Sequence, residues 1–342
     1  MHILVGILAA LIIFAVLVIV HEGGHFFTAK AVGIKVNEFA VGMGPLIFKK
    51  ETAETTYSVR ALPIGGYVAM EGENADSDDE RAFNNKPACA RALVVAAGPF
   101  MNFLLAVIIL GGMLTYMGTS ATLTIADVPE GMPAYEAGIE AGDTIVSVDG
   151  KEISDGEELK KVLDGIGEDA ESISLGVKSS DGSARVCDVA VTTDEQGNRI
   201  IGVIFEVRHN FFEGMVGGLK SSVSMEKQML AALGDLVTGS AEKGDVVGPI
   251  GIVNIVDQSV QVGLLNVIYL MALLSLNLAL VNILPFPALD GGRLLFIVIR
   301  KLTGKAISDE LEAKIHLLGM FLLFSLMIFI TLKDFNMFIL KN

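Results

Sequence analysis

The sequence predicts a polytopic α-helical membrane protein with four transmembrane helices, a small membrane-associated β-sheet and one inserted soluble domain. The chain has 342 residues, 52% of them hydrophobic, and a mean hydropathy of +0.58. Four apolar runs are long enough to cross a bilayer, at residues 3–27, 92–117, 264–284 and 313–332. Residues 118–263 hold 25 acidic and 10 basic side chains, which accounts for the whole net charge of −15. The soluble domain is therefore acidic, which argues against nucleic acid as a partner and leaves the lipid bilayer as the predicted surroundings.

The first apolar run ends in three ionisable side chains, a costly placement that usually marks a functional site in a membrane protein. His21 and His25 are four residues apart, so a helix projects both from one face, with Glu22 about 100° from His21. In this H-E-x-x-H arrangement two imidazoles bind Zn²⁺ and the glutamate activates a water. Alone, the pentapeptide also fits a loop with inert histidines, so the metal interpretation requires a third ligand elsewhere.

Between the first two runs the pattern changes to short segments typical of strands, at residues 34–41, 46–49, 55–61 and 67–70. Glycine- and proline-containing stretches separate them. We expect a small sheet whose open edge receives an extended peptide, although a covering sheet that binds nothing fits the pattern equally well. The six acidic residues within 71–80 predict a solvated loop.

The second run contains two features that disturb an apolar helix. Pro99 removes a helix hydrogen bond and predicts a kink. Asn102 is an amide that needs a partner inside the membrane. We expect Asn102 to make an interhelical hydrogen bond rather than to take part in catalysis.

Residues 119–208 have the pattern of one compact domain. Strand-like segments occur at 122–128, 172–178, 184–191 and 200–207, and a short helix is predicted at 155–163. The stretch from Ala141-Gly142-Asp143 to Val148-Asp149-Gly150, followed by that helix, closely resembles a PDZ domain in the circularly permuted form of bacterial proteases. The resemblance implies a peptide-binding groove, but the G-L-G-F sequence is missing, so a steric cap remains an alternative. The spacing of apolar residues in 212–237 then predicts an amphipathic helix.

The third run ends in a turn that presents an acidic side chain. Pro285 and Pro287 stop the helix, so the chain around Asp290 is irregular. Irregular backbone at membrane depth is tolerated only where protein or a cavity covers it. Asp290 is thus the candidate for the missing oxygen ligand of a tetrahedral zinc site with one open position, the alternative being a helix cap.

The motif N-x-x-P-x-P-x-L-D-G at 282–291, with H-E-x-x-H in the first run and a PDZ-like domain between them, resembles the site-2 protease family of intramembrane zinc metalloproteases. The bacterial regulator-of-sigma-E protease group is the most similar part of that family. Two departures concern details: familiar members carry two PDZ domains where this chain has room for one, and their G-F-G-P is Gly42-Met43-Gly44-Pro45 here.

This resemblance implies a zinc metalloendopeptidase in which His21, His25 and Asp290 hold Zn²⁺ and Glu22 is the general base. Asn277 and Asn282 would hold the substrate backbone or the oxyanion. The implied substrates are single-span membrane proteins such as anti-sigma factors or remnant signal peptides, screened by the PDZ-like domain. The rival hypotheses are a proteolytically inactive membrane-anchored PDZ scaffold or chaperone, and a metal transporter that uses the histidine pair.

Positive charges predict the orientation. Eight Lys and Arg lie between the first two runs and four follow the third, which makes those connections cytoplasmic. We therefore expect a multi-pass protein of the bacterial inner membrane, with the active site toward the cytoplasm and the PDZ-like domain outside. The predicted domains are 1–117 with the first two spans and the sheet, 118–208 the PDZ-like domain, 209–263 an amphipathic helix and linker, and 264–342 the last two spans.

Overall fold

The structure is a computed structural model that describes residues 2–73, 77–165, 171–193, 199–239, 247–304 and 309–338. It divides into a membrane unit, Met1–Leu110 with Gly218–Asn342, and an inserted unit, Gly111–Gly217. The helices are α1 (His2–Ala31), α2 (Ala88–Met117), α3 (Pro133–Glu136), α4 (Gly156–Asp164), α5 (Phe211–Thr238), α6 (Pro249–Val262), α7 (Leu264–Ile283), α8 (Asp290–Thr303) and α9 (Asp309–Phe338). The strands are β1 (Val36–Glu51), β2 (Thr56–Met70), β3 (Ser120–Asp127), β4 (Thr144–Val148), β5 (Lys151–Glu152), β6 (Ser172–Lys178), β7 (Ala184–Ala190), β8 (Thr192–Thr193), β9 (Arg199–Ile200) and β10 (Ile204–Arg208).

The four predicted spans are confirmed. Within the described part of the chain, the helices long and apolar enough to cross a membrane are Leu4–Ala31, Ala88–Met117, Leu264–Ile283 and Glu310–Phe335. The second span begins at Ala88, four residues before the predicted start at residue 92, because residues 88–91 are also helical.

Helix α6 corrects the expectation of a linker before the third span. Pro249 lies in the first turn of this helix, where a backbone N–H would have no partner within the helix, so the missing N–H of proline costs nothing. Val256 is fully buried and packs with Ala10, Ile13 and Leu17 of α1. The segment is helical because its apolar face is covered by the first span, which sequence spacing alone did not reveal.

The sheet of the membrane unit contains the four predicted segments, joined into two long bent strands. Residues 46–51 pair with 56–60, and residues 38–41 pair both with 56–59 and with 66–69. Gly42, Gly44 and Gly65 have positive φ angles, so the expected breaks are bends that a glycine permits without ending the strand. Among the described residues, segment 66–70 pairs with strand residues on one side only, which leaves its other edge open.

The inserted unit is built on a sheet with the strand order β10-β3-β4-β6-β7, and β5 pairs with β4. Its core is formed by apolar side chains from these strands and from α4: Ile125, Ile145, Leu159, Leu175, Val177 and Val189. The strand predicted at 200–207 is interrupted, because Gly202 turns the chain with a positive φ angle. Helix α5, which follows, covers the segment 212–237 predicted to be helical, and the apolar residues Phe212, Val216 and Leu219 of the predicted face are exposed.

Candidate metal centre

Helix α1 presents two imidazoles side by side. His21 and His25 are each more than nine-tenths buried, and their Nε2 atoms lie 3.2 Å apart. The helical spacing of four residues brings both rings to one face, as the sequence predicts. Glu22 lines the same cavity as these two rings.

Asp290 completes this cluster from a distant part of the chain. Helix α7 ends at Ile283, and α8 begins at Asp290 after a turn. The Oδ2 atom of Asp290 lies 3.1 Å from His21 Nε2 and 3.4 Å from His25 Nε2. Burial opposes the charged form of Asp290, but the neighbouring imidazoles lower its pKa below the usual range.

The donor set fits a zinc ion. Two imidazole nitrogens and one carboxylate oxygen lie within 4.8 Å of one another, which is the composition of a three-ligand catalytic zinc site. Oδ2 of Asp290 is buried, and its two contacts with the imidazoles lack hydrogen-bond geometry. It therefore accepts no hydrogen bond from the described residues. A cation between the three atoms would satisfy this oxygen.

The outer nitrogen of each imidazole is held by α2. Nδ1 of His25 donates to the carbonyl oxygen of Val94 at 2.8 Å, which leaves the Nε2 lone pair directed at the site. Nδ1 of His21 lies 3.2 Å from the amide of Asn102, whose Oδ1 is buried and has no hydrogen-bond partner in the part of the chain that the structure describes. A metal bound at Nε2 of His21 would require the proton to be on Nδ1, and turning the Asn102 amide end for end presents Oδ1 to accept from that Nδ1. In that arrangement Asn102 fixes the tautomer that leaves the Nε2 lone pair of His21 available to a metal ion.

Two glycines permit α1 and α2 to approach at this site. A Cβ atom on Gly24 would lie 2.4 Å from the carbonyl oxygen of Ala97. A Cβ atom on Gly98 would lie 2.3 Å from His25 Nε2 and 2.8 Å from His21 Nε2. Gly24 lies within the H-E-x-x-H sequence, and small residues favour close helix packing in membranes, whereas the contact of Gly98 with the histidines is visible only in the structure.

A cavity of about 610 Å³ opens beside these side chains. It is lined by the cluster of His21, Glu22, His25 and Asp290 and by the segment 66–70 of β2. Its wall therefore combines the candidate metal ligands with the open edge of a sheet.

Sequence reasoning missed an ion pair in the wall of this cavity. Glu73, in the acidic stretch expected to be a solvated loop, has a side chain only 8% exposed and is paired with Arg293 of α8. Asp76, in the same stretch, lies outside the described residues. The sequence offered no signal for this pair, because the two residues are 220 positions apart.

The predicted substrate-binding residues lie on α7. Asn277 is exposed and Asn282 is half-buried, and neither is among the residues that line the cavity. Ser275, on the same helix, is buried and donates from Oγ to the backbone oxygen of Asn102 at 2.7 Å. Helix α7 thus supports the residue that holds His21.

Comparisons with known proteins agree with this chemistry. The model of Peptidase family M50 matches residues 9–326. A protein of Clostridium acetobutylicum and one of Clostridium perfringens, both named as zinc metalloproteases, are 36% and 37% identical, and each alignment covers 96% of this chain and at least 97% of the relative. Zinc metalloprotease RasP of Shouchella clausii is 31% identical over 96% of this chain and 98% of its own.

A solved PDZ domain of the SdrC-like protein Lin2157 from Listeria innocua matches at 20% identity with a TM-score of 0.23, covering 26% of this chain and 99% of that domain. The assignment therefore rests on the family model and on the relatives, which span the whole arrangement of helices, sheet and inserted unit. This chain is a multi-pass bacterial membrane protein that belongs to Peptidase family M50 and is a zinc-dependent metalloprotease.

Proposed function

We propose that the protein cuts peptide bonds within or near the transmembrane helices of membrane-protein substrates, with zinc held by His21, His25 and Asp290 and with Glu22 as the general base. The observation that carries this proposal is the convergence of three ligand atoms beside Glu22, in a cavity bordered by a free sheet edge.

The roles of the chain's own residues follow from this arrangement. When bound, zinc supplies the Lewis acidity that peptide hydrolysis requires. Glu22 takes a proton from the attacking water and gives it to the departing amine, so the bond to the amine breaks without an unstable anion. The carbonyl of Val94 and the amide of Asn102 keep the two imidazoles oriented throughout. Asn277 and Asn282 remain candidates for contacts to a substrate entering along α7.

The substrate must be extended before it is cut, because a transmembrane helix satisfies every backbone amide internally. The open edge of segment 66–70 borders the cavity and can replace the lost hydrogen bonds by pairing with an extended peptide. A photo-crosslinking residue at Ala69 should therefore capture substrate near its cleavage site, in an E22Q background that holds substrate uncut. The same residue at Phe48, in the opposite edge segment, is the control. Equal capture from Phe48, or none from Ala69, would refute strand addition.

The orientation in the membrane and the role of the inserted domain are also proposals. The active site faces the cytoplasm, and the inserted PDZ-like domain lies outside and admits single-span substrates, such as anti-sigma factors or remnant signal peptides, whose outer domains have been trimmed. The charge asymmetry of the connections supports this orientation. In proteoliposomes, a substrate with a folded outer domain should be cut slowly and its trimmed form quickly. Equal rates for both forms would remove the screening role.

The deciding experiment measures cleavage of a single-span substrate by the purified protein, by E22Q, and by wild type treated with a zinc chelator. Cleavage should occur only with untreated wild type and should return when zinc is added back, whereas E22Q should bind zinc normally. Equal cleavage by E22Q would refute Glu22 as the base. No cleavage by any form would favour the inactive PDZ scaffold or chaperone.

A further inference from the structure

The turn that carries Asp290 contains a strained residue. Ala288 has a φ angle of +78°, in the left-handed region that residues other than glycine rarely adopt. Such a conformation persists only where the surroundings impose it. Because Ala288 is two residues before Asp290, whatever imposes it also sets the position of the Asp290 carboxylate.

Helix α9 makes two adjacent contacts with this turn. Nδ1 of His316 accepts a hydrogen bond from the backbone N–H of Ala288 at 2.9 Å. One turn further along α9, a Cβ atom on Gly319 would lie 2.5 Å from the carbonyl oxygen of Pro287, so the helix backbone lies against the turn. The turn is thus held both by a polar bond and by close packing.

Since Nδ1 is the acceptor, the proton of the His316 ring is on Nε2, which lies 3.9 Å from Glu312 Oε1 and makes no hydrogen bond among the described residues. Glu312 is in turn bonded to Arg300 of α8 at 2.5 Å. The His316 ring also packs on Phe296, with ring centres 5.6 Å apart. The ring is therefore oriented by the same helix that begins at Asp290.

The rest of α9 is largely exposed, and a further polar attachment lies near its opposite end. Asp334 is buried and accepts from the backbone N–H of Gly251 in the first turn of α6 at 2.8 Å. His316 and Asp334 are about 27 Å apart along the helix, close to the thickness of a bilayer core. The fourth span is thus fastened at one end to α6 and at the other to the turn that carries Asp290.

We propose that His316 is a positioning residue for the metal centre, holding the Ala288 amide and with it the Asp290 carboxylate in place for zinc. This inference rests on the proposed role of Asp290 as a ligand. It gives the fourth span a function in metal binding, although the span contributes no ligand.

The test measures zinc affinity of the full-length protein by competition with a chromophoric chelator. H316L removes the acceptor, while H316N retains an oxygen at the place of Nδ1. Zinc affinity should fall about 10- to 100-fold in H316L and stay within about threefold of wild type in H316N. G319A, which presses directly on Pro287 with His316 intact, should also weaken zinc binding.

Two controls separate this role from general packing. D334L removes the acceptor for the Gly251 N–H at the far end of α9 and should lower thermal stability without changing zinc affinity. D290A should lose zinc. Wild-type affinity in H316L, an H316N protein as weak as H316L, or an equal loss in D334L would overturn the role of His316 alone. Retention of zinc by D290A would overturn the ligand assignment itself, and the inference with it.

Discussion

Replacing Gly98 by alanine should disable the metal centre through a single methyl group. The added carbon would lie 2.3 Å from Nε2 of His25, about 1 Å inside the shortest ordinary contact distance of 3.4 Å, and 2.8 Å from Nε2 of His21. Helix α2 would have to retreat or the imidazoles would have to turn by a similar amount. Metal–ligand distances tolerate only about 0.2 Å, so the three ligands could no longer converge on one ion.

The expected loss of zinc affinity and of cleavage rate is large, because the displacement acts on the metal centre itself. A misplacement of about 1 Å costs roughly 100-fold in rate, and disturbed support of the ligands costs about 10- to 100-fold in metal affinity. Zinc affinity by chelator competition and cleavage of a single-span substrate should therefore fall together in G98A. The fold should survive, since the nearest atoms that the added Cβ atom would meet belong to the side chains of His21 and His25 and not to the backbone of a neighbouring helix.

The matched control is Gly112, which lies in the same helix and where an added Cβ atom would have no described residue within 4 Å. G112A should bind zinc and cut substrate as wild type does, while gaining up to about 1 kcal/mol from the better helix former. A G98A protein with wild-type zinc affinity and activity would refute the inferred contact. Equal losses in G98A and G112A would point to helix α2 in general.

Three further predictions concern other contacts. N102L should lower zinc affinity about 10- to 100-fold, since His21 loses the partner that sets its tautomer, and unchanged affinity would exclude that role. R185M should destabilise the inserted unit by about 2–3 kcal/mol, because Asp143 is buried and, among the described residues, would keep the backbone N–H of Glu140 as its donor. The loss of hydrogen-exchange protection in β4 and β6 measures this cost. The hydrogen bonds of Glu158 with Lys151 and Ser154 lower its pKa from 4.5 to about 2. Because the pKa of Glu158 is lower in the folded state, its ionised carboxylate stabilises the fold above pH 4.5, and this stabilisation is lost as the pH falls toward 2. The protection of α4 should therefore drop between pH 5.5 and pH 3 in wild type and change less in E158Q, and equal drops would contradict the assignment.

Much of the fold was predictable because the membrane imposes simple rules on sequence. An apolar run must be helical to satisfy its backbone in lipid, so all four spans could be located from hydropathy. The strand segments between residues 34 and 70 followed from local patterning. Helix α6 did not, because its apolar face matters only once α1 covers it.

The candidate ligands were also accessible from sequence. His21 and His25 belong to one helix turn, and the two prolines before Asp290 mark an irregular stretch that needs a reason to exist at membrane depth. Their roles as ligands remain a prediction that zinc measurements on the variants can test.

The sequence by itself determined the four spans and the candidate residues for the chemistry, because metal-binding spacing and hydrophobic runs are local properties of a chain. Only the tertiary structure decided what holds those residues. Asn102 acts across two helices, Gly98 acts through the absence of a side chain, and His316 acts on a turn 28 residues away. These contacts join segments that no periodicity relates, since they depend on how close two helices come and on which backbone groups remain to be paired.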